Sequence, residues 1–111
     1  MERLKRGDVV LVVAPGSYGK PRPAVIVQTD LANETHPSFV VCPLTSHLRD
    51  APLFRPDVEP DRENGLAKPS QIMVDKIITL PREKVKEVVG RLDEDTMTRL
   101  TRSLAFWLGL G

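Results

Sequence analysis

One cysteine stands alone among 111 residues, so the chain has no partner for an internal disulfide. Cys42 lies in the apolar run Phe39-Val40-Val41-Cys42, where a small buried hydrophobe is expected rather than a reactive thiol. The chain has only two histidines, His36 and His47, which leaves too few ligands for a Cys/His zinc site, and no metal or cofactor is expected. Aromatics are 5% of the residues, too few to pave a surface on which nucleic-acid bases stack. No apolar run reaches membrane-spanning length. The start, Met1-Glu2-Arg3-Leu4-Lys5-Arg6-Gly7-Asp8, is charged and precedes only a short apolar run. That is no secretion signal, and a soluble cytoplasmic protein is expected. Charge of one sign is lacking too: 16 Lys and Arg face 15 Asp and Glu, a formal +1. This balance argues against a histone-like protein or an acidic tail.

What is present suits one globular domain. Hydrophobic residues are 41% and charged residues 28%, ordinary usage for a chain able to bury a modest core. Ten prolines and seven glycines are spread along the chain and imply turns rather than a linker. With no repeat and no dividing segment, residues 1–111 are expected to form a single domain.

Val9-Val10-Leu11-Val12-Val13 and Ala24-Val25-Ile26-Val27-Gln28 are β-branched runs that predict buried strands. The turn-rich segment 15–23 between them predicts a protruding loop. Phe39 to Cys42 predicts a third strand ending at Pro43. Pro52 to Glu59 reads as an extended edge, where proline is tolerated. Glu63-Asn64-Gly65 signals a turn, and Gln71 to Val74 a strand continuing through Ile77-Ile78. Pro81 to Lys84 reads as a helical turn and Lys86 to Leu92 as the last strand. Met97, Leu100, Leu104 and Leu108 then recur at spacings of three and four, an amphipathic helix with Asp93 as N-cap and Gly109 at its end. Six short strands and one helix predict a strongly bent antiparallel sheet or barrel with a helix packed on it.

The charge is uneven. Residues 1–28 hold five basic and two acidic side chains (+3), and the remainder eleven and thirteen (−2). The loop bearing Lys20 and Arg22 thus lies in the basic part. Asp57, Glu59, Asp61 and Glu63 alternate along one face, which Pro60 and the following turn make a solvated edge rather than a metal site.

Several segments together resemble one family. They are Arg6-Gly7-Asp8-Val9-Val10, Arg22-Pro23-Ala24-Val25-Ile26-Val27-Gln28, Pro43-Leu44-Thr45-Ser46, Asn64-Gly65-Leu66, Pro69 to Ile77, and Gly90-Arg91-Leu92 before the terminal helix. In this order they are similar to the MazF/PemK toxins of prokaryotic type II toxin–antitoxin systems. The resemblance covers nearly the whole chain. It implies an SH3-like β-barrel with a C-terminal α-helix, assembled as a homodimer. It further implies a metal-independent, sequence-specific endoribonuclease acting on single-stranded mRNA. Such enzymes leave a 2′,3′-cyclic phosphate and a 5′-hydroxyl, and are restrained by a small MazE-like antitoxin that covers the RNA site.

This chemistry uses the RNA's own 2′-hydroxyl as nucleophile. The protein must align it, stabilise charge on the phosphate and manage two protons. Arg22 matches the family's main catalytic arginine, and a guanidinium can grip a phosphate through two parallel donors. Thr45 matches the threonine beside it, and Ser46 adds a hydroxyl. Asp75 matches a carboxylate position, as a proton acceptor or a brace for Arg22. Ser70 and Gln71 match positions along the family's RNA groove. His47 is chemically suited to proton transfer, but the family does not require a histidine there, and it is read as a contact to RNA or a solvated loop histidine. Tyr18 and Lys20 depart from the usual loop and are read as contacts to a base and a phosphate. Met73 stands where some relatives have an arginine, which moves the burden onto Arg22.

Two other readings compete. A toxin of CcdB type shares the barrel but binds DNA gyrase and needs neither Arg22 nor Thr45. A plain SH3-like peptide module needs an aromatic groove that this composition does not supply.

Overall fold

The computed structural model describes residues 3–111. Seven strands follow the chain: β1 (Asp8–Val12), β2 (Arg22–Ile26), β3 (Ser38–Thr45), β4 (Asp57–Val58), β5 (Ser70–Ile72), β6 (Ile78–Pro81) and β7 (Val85–Arg91). A short helix α1 (Asp30–Asn33) follows β2, and helix α2 (Glu94–Trp107) closes the chain. All strand pairs are antiparallel, in the order β4-β5-β3-β2-β1-β7, with β6 also paired to β3. The result is a curled sheet with a helix on it, as the sequence predicts.

Strand periodicity divides the core in two. Val9, Val25, Cys42 and Leu44 face Leu100 of α2. Val10, Val12, Ala24, Ile26, Phe39 and Val41 face the other way, against Leu80 and Val85. Both faces of β1 and β2 are therefore covered, which explains why they read as unbroken apolar runs rather than alternating ones. Cys42 is buried, and burial pushes its thiol up to about 12.

Three expectations need correction. β3 does not stop before Pro43 but runs eight residues, to Thr45. The Pro43 carbonyl accepts from the Met73 N–H at 2.8 Å, so the proline nitrogen faces the same side. There β3 changes partner, from β6 (Val41 opposite Ile78) to β5 (Leu44 opposite Ile72), and no acceptor awaits the missing N–H. The same handover breaks the strand expected over 71–78. Residues 73–77 stand opposite only Cys42 and Pro43 and fold into a 3-10 turn, Val74–Lys76, with Val74 fully buried. The extended edge expected over 52–59 shrinks to the two residues of β4. Helix α1 gave no sequence signal because four residues are too short for a period; the Thr29 side chain accepts from the Leu31 N–H to start it.

The helix caps behave as read. Asp93 accepts from the Thr96 N–H at 2.8 Å, and Gly109 takes a positive φ of 73°. The Arg6-Gly7-Asp8 stretch is a tie between layers. Asp8 accepts from the Lys5 N–H and pairs with Arg91 of β7 at 2.8 Å, while Arg6 Nε donates to the Val27 carbonyl.

Two features pin the long connection between β4 and β5. Asn64 is buried, and its Oδ1 accepts from the Asp61 and Leu66 N–H groups while its Nδ2 donates to the Glu59 carbonyl. Gly65 (φ 69°) and Gly90 then let this loop cross β7 backbone to backbone. A methyl on Gly65 would strike the Val89 carbonyl, and one on Gly90 would strike Glu63 and Asn64. Farther along, Arg55 and Asp75 form a two-pronged pair: Nε donates to Oδ1 and Nη2 to Oδ2, each at 3.0 Å. Their side chains are 6% and 17% exposed. Hydrogen bonds from Arg55 hold the Asp75 carboxyl below the usual carboxylate range, against the opposing effect of burial.

Gly65→Ala should cost about 2 kcal/mol, seen as a fall of roughly 8 °C or more in Tm, because both space and φ are denied. Asp75→Asn should cost about 3 kcal/mol at neutral pH by leaving Arg55 buried without its counter-charge. The wild-type carboxyl ionises more readily folded than unfolded. Its contribution is thus complete above the unfolded value of about 4 and is lost as pH falls through the lower folded value. Denaturant titrations should show the gap between the two proteins closing as the pH drops below about 4; a constant gap would refute the assignment.

Candidate active site

The register of β2 against β3 decides what meets at the open end of the sheet. Val41 lies opposite Ile26, Cys42 opposite Val25 and Pro43 opposite Ala24. The pairing ends there, and Arg22 and Thr45 lie two residues farther along β2 and β3. Side chains two apart on a strand share a face, so both continue the face that carries Ala24, Ile26 and Val41. Pro21 and Pro23 flank Arg22 and fix φ on either side of it. Arg22 is exposed, and no carboxylate among the described residues forms an ion pair with it.

Thr45 ends β3 in a tight turn, its Oγ1 accepting from the His47 backbone N–H at 3.1 Å. That bond uses an oxygen lone pair and leaves the hydroxyl proton free to donate outward. Two clefts meet here, and Arg22, Pro23, Leu44, Thr45 and His47 line both. One, of 430 Å³, has an apolar floor that includes Val41, Ile78 and Leu80, and reaches Gly16 and Ser17 of the first loop. The other, of 320 Å³, is lined in addition by Ser46, Lys68 and Ser70. The ionisable side chains lining the two are Arg22, His47 and Lys68, with no carboxylate. Such a junction attracts an anion flanked by flat or apolar groups.

The expected residues are distributed unevenly about this junction. Arg22, Thr45, Ser46, His47 and Ser70 come together. Ser70 is buried, and its Oγ donates to the Lys68 carbonyl at 2.9 Å, bracing the turn that carries Lys68. Tyr18 and Lys20 are exposed on the first loop and line neither cleft; Tyr18 projects fully, from a backbone with φ of 56°. That left-handed conformation is uncommon for an aromatic residue and holds the ring away from the body.

Gln71 and Asp75 depart from their expected places. Gln71 is 4% exposed, and its amide is bonded at both ends. Nε2 donates to the Arg49 carbonyl and to Asp57, while Oε1 accepts from the Arg49 N–H. It ties the 45–50 turn to β4 and β5 and lines neither cleft. Asp75 braces Arg55 instead of Arg22 and lines neither cleft. The cause is the 3-10 turn, which rotates residues 74–76 out of the strand frame that would have set Asp75 on the groove face. Lys68 was missed by sequence reasoning; its only signal was a cation two positions before Ser70. Arg55 was missed as well, although an arginine between Phe54 and Pro56 is an unusual choice for a solvated edge.

Among the described residues no group of three His, Cys, Asp or Glu side chains is placed to hold a metal ion. On the acidic edge, Asp61 Oδ1 accepts from the Glu63 and Asn64 N–H groups and so serves the turn.

Comparison with known proteins agrees with this architecture. Residues 5–108 match the family model described as PemK-like, MazF-like toxin of type II toxin-antitoxin system. A "Probable endoribonuclease MazF" of Mycolicibacterium smegmatis is 43% identical over 108 residues, covering 96% of this chain and 98% of that protein. A mycobacterial endoribonuclease solved in complex with its cognate antitoxin superposes with a TM-score of 0.81 at 25% identity, covering 97% of each chain. A MazE–MazF structure from Deinococcus radiodurans gives 0.81 at 21% identity, over 99% of this chain and 100% of that one, and bears on the fold alone. Matched from end to end in both sequence and fold, the chain belongs to the PemK-like, MazF-like toxins of type II toxin–antitoxin systems.

Proposed function

We propose that this single-domain toxin is a metal-independent endoribonuclease that cuts single-stranded mRNA at a preferred sequence. The observation that carries the reading is that Arg22 and Thr45 together line two carboxylate-free clefts where these join. The scissile phosphate sits at that junction, with the nucleotides on either side in the two clefts. Arg22 grips two non-bridging oxygens and stabilises the extra charge that builds as the 2′-oxygen adds to phosphorus. The Thr45 hydroxyl donates to the same phosphate, and Ser46 stands beside it. The bond to the 5′-oxygen then breaks, leaving a 2′,3′-cyclic phosphate and a 5′-hydroxyl. The nucleophile in this step is the RNA's own 2′-oxygen rather than a water molecule.

Lys68, braced by Ser70, holds the next phosphate along. Tyr18 and Lys20 reach over the rim to flanking nucleotides and contribute to sequence preference. The toxin works in the cytoplasm as a homodimer and is silenced by a MazE-like antitoxin over the RNA site. The similarity to a probable endoribonuclease and to an endoribonuclease solved with its antitoxin supports the activity and the partner. Phe106, Trp107, Leu108 and Leu110, 44–76% exposed at the end of α2, offer apolar surface for such assembly. No helix among the described residues is long and apolar enough to cross a membrane.

Purified toxin, free of antitoxin and in EDTA, should cut a long RNA at a recurring sequence and leave cyclic-phosphate ends. Arg22→Ala should lower the rate about 10³-fold with unchanged Tm, and Thr45→Val about 10-fold to 100-fold with a small fall in Tm from the lost His47 N–H bond. A wild-type protein that cuts nothing would overturn the enzymatic reading. Full-rate cutting by Arg22→Ala would overturn the site.

A further inference from the structure

We propose that His47 is the general base of this reaction, taking the proton of the attacking 2′-hydroxyl. The inference rests on the endoribonuclease reading and assigns a step that reading leaves open. In-line attack needs an acceptor at the phosphate-binding junction that is partly unprotonated near neutral pH. Arg22 and Lys68 are the other ionisable side chains lining the clefts, and each is a donor without a free lone pair in its charged form. β1, β6 and the first loop contribute only apolar residues and Ser17 to the lining. Asp75, the carboxylate expected in this role, is bound through both oxygens to Arg55.

His47 stands beside the phosphate-binding junction. Its backbone N–H donates to Thr45 Oγ1 at 3.1 Å, which fixes its backbone next to that hydroxyl, and the residue lines both clefts with Arg22. Its side chain is exposed, and neither ring nitrogen has a hydrogen-bond partner among the described residues. The other imidazole differs: His36 Nδ1 accepts from the Ser38 N–H at 3.2 Å and is committed to its own turn.

The step balances without a co-reactant. A neutral imidazole nitrogen accepts the 2′-hydroxyl proton as the 2′-oxygen bonds to phosphorus. The bond from phosphorus to the 5′-oxygen breaks, its electron pair stays on that oxygen, and solvent protonates it. The imidazolium returns its proton to solvent before the next turnover.

The test uses full-length toxin and a short RNA oligonucleotide carrying the cut sequence mapped on the long transcript. Wild-type kcat/KM should rise with unit slope on the acid side and then reach a plateau. His47→Gln should lower the plateau about 10²-fold to 10⁴-fold and abolish that limb, with Tm unchanged because the side chain is exposed. It should leave unchanged the Kd for the same oligonucleotide made 2′-deoxy at the cut. His36→Gln should keep the wild-type profile. A substrate with sulfur in place of the leaving 5′-oxygen needs no acid, and it should not rescue His47→Gln. Rescue would make His47 the acid and overturn the proposal. So would an intact acid limb in His47→Gln, its loss in His36→Gln, or a fall in affinity equal to the fall in rate. A wild type that does not cut would instead overturn the endoribonuclease reading.

Discussion

The antiparallel register between β2 and β3 is the constraint on which the site depends. Side chains cannot slip by one residue without turning every core position to the wrong face. Val25 and Cys42 are locked toward α2, and Ala24, Ile26 and Val41 toward the opposite face. With those buried, alternation turns Arg22 and Thr45 to one face, where both line the clefts. Core packing thus brings these two side chains to one junction, and no hydrogen bond between the two is needed to align them. Residues of a loop would have to be ordered at an entropic cost that strand ends have already met through folding.

β3 is long because it serves three neighbours. It pairs with β2 on one side and with β6 and then β5 on the other. The handover between the last two admits Pro43 without penalty and forces residues 73–77 out of the strand path. The 3-10 turn made there is held by Val74 in the core and by the Arg55–Asp75 pair. A carboxylate is thereby withdrawn from the groove, which leaves the clefts lined by cations and hydroxyls. On the other flank, Gly65 and Gly90 let the β4–β5 loop press against β7, and that contact carries Lys68 toward Arg22. One side of the site is shaped by what the fold removes, the other by what two missing side chains allow.

Much of this was legible in the chain. The apolar runs of β1 and β2, the turn at Asn64-Gly65 and the capped helix α2 each carry a local signal, since strand burial, positive φ and helix ends act on neighbouring residues. The clustering of Arg22, Thr45 and Ser46 followed from the ordered resemblance to a toxin family. Gln71 and Asp75 were misplaced for one shared reason. Each was assigned by its match to a family position, whereas the partners that engage them, Arg49 and Arg55, lie 20 or more positions away in sequence. The near-neutral charge was misleading in the same way. It averages over a basic first quarter and an acidic remainder, whereas a phosphate meets only the few groups that line a cleft.

The sequence by itself determined the strands with two buried faces, the turn chemistry, the amphipathic helix and the family to which the chain belongs. These depend on period, φ preference and residue order, all readable within a short window. Only the tertiary structure decided which polar side chains face the groove and which are spent on holding it. That choice depends on strand register, on where β3 exchanges one partner for another, and on close backbone crossings. Each of these joins residues far apart in the chain, and a linear pattern carries no record of such distances.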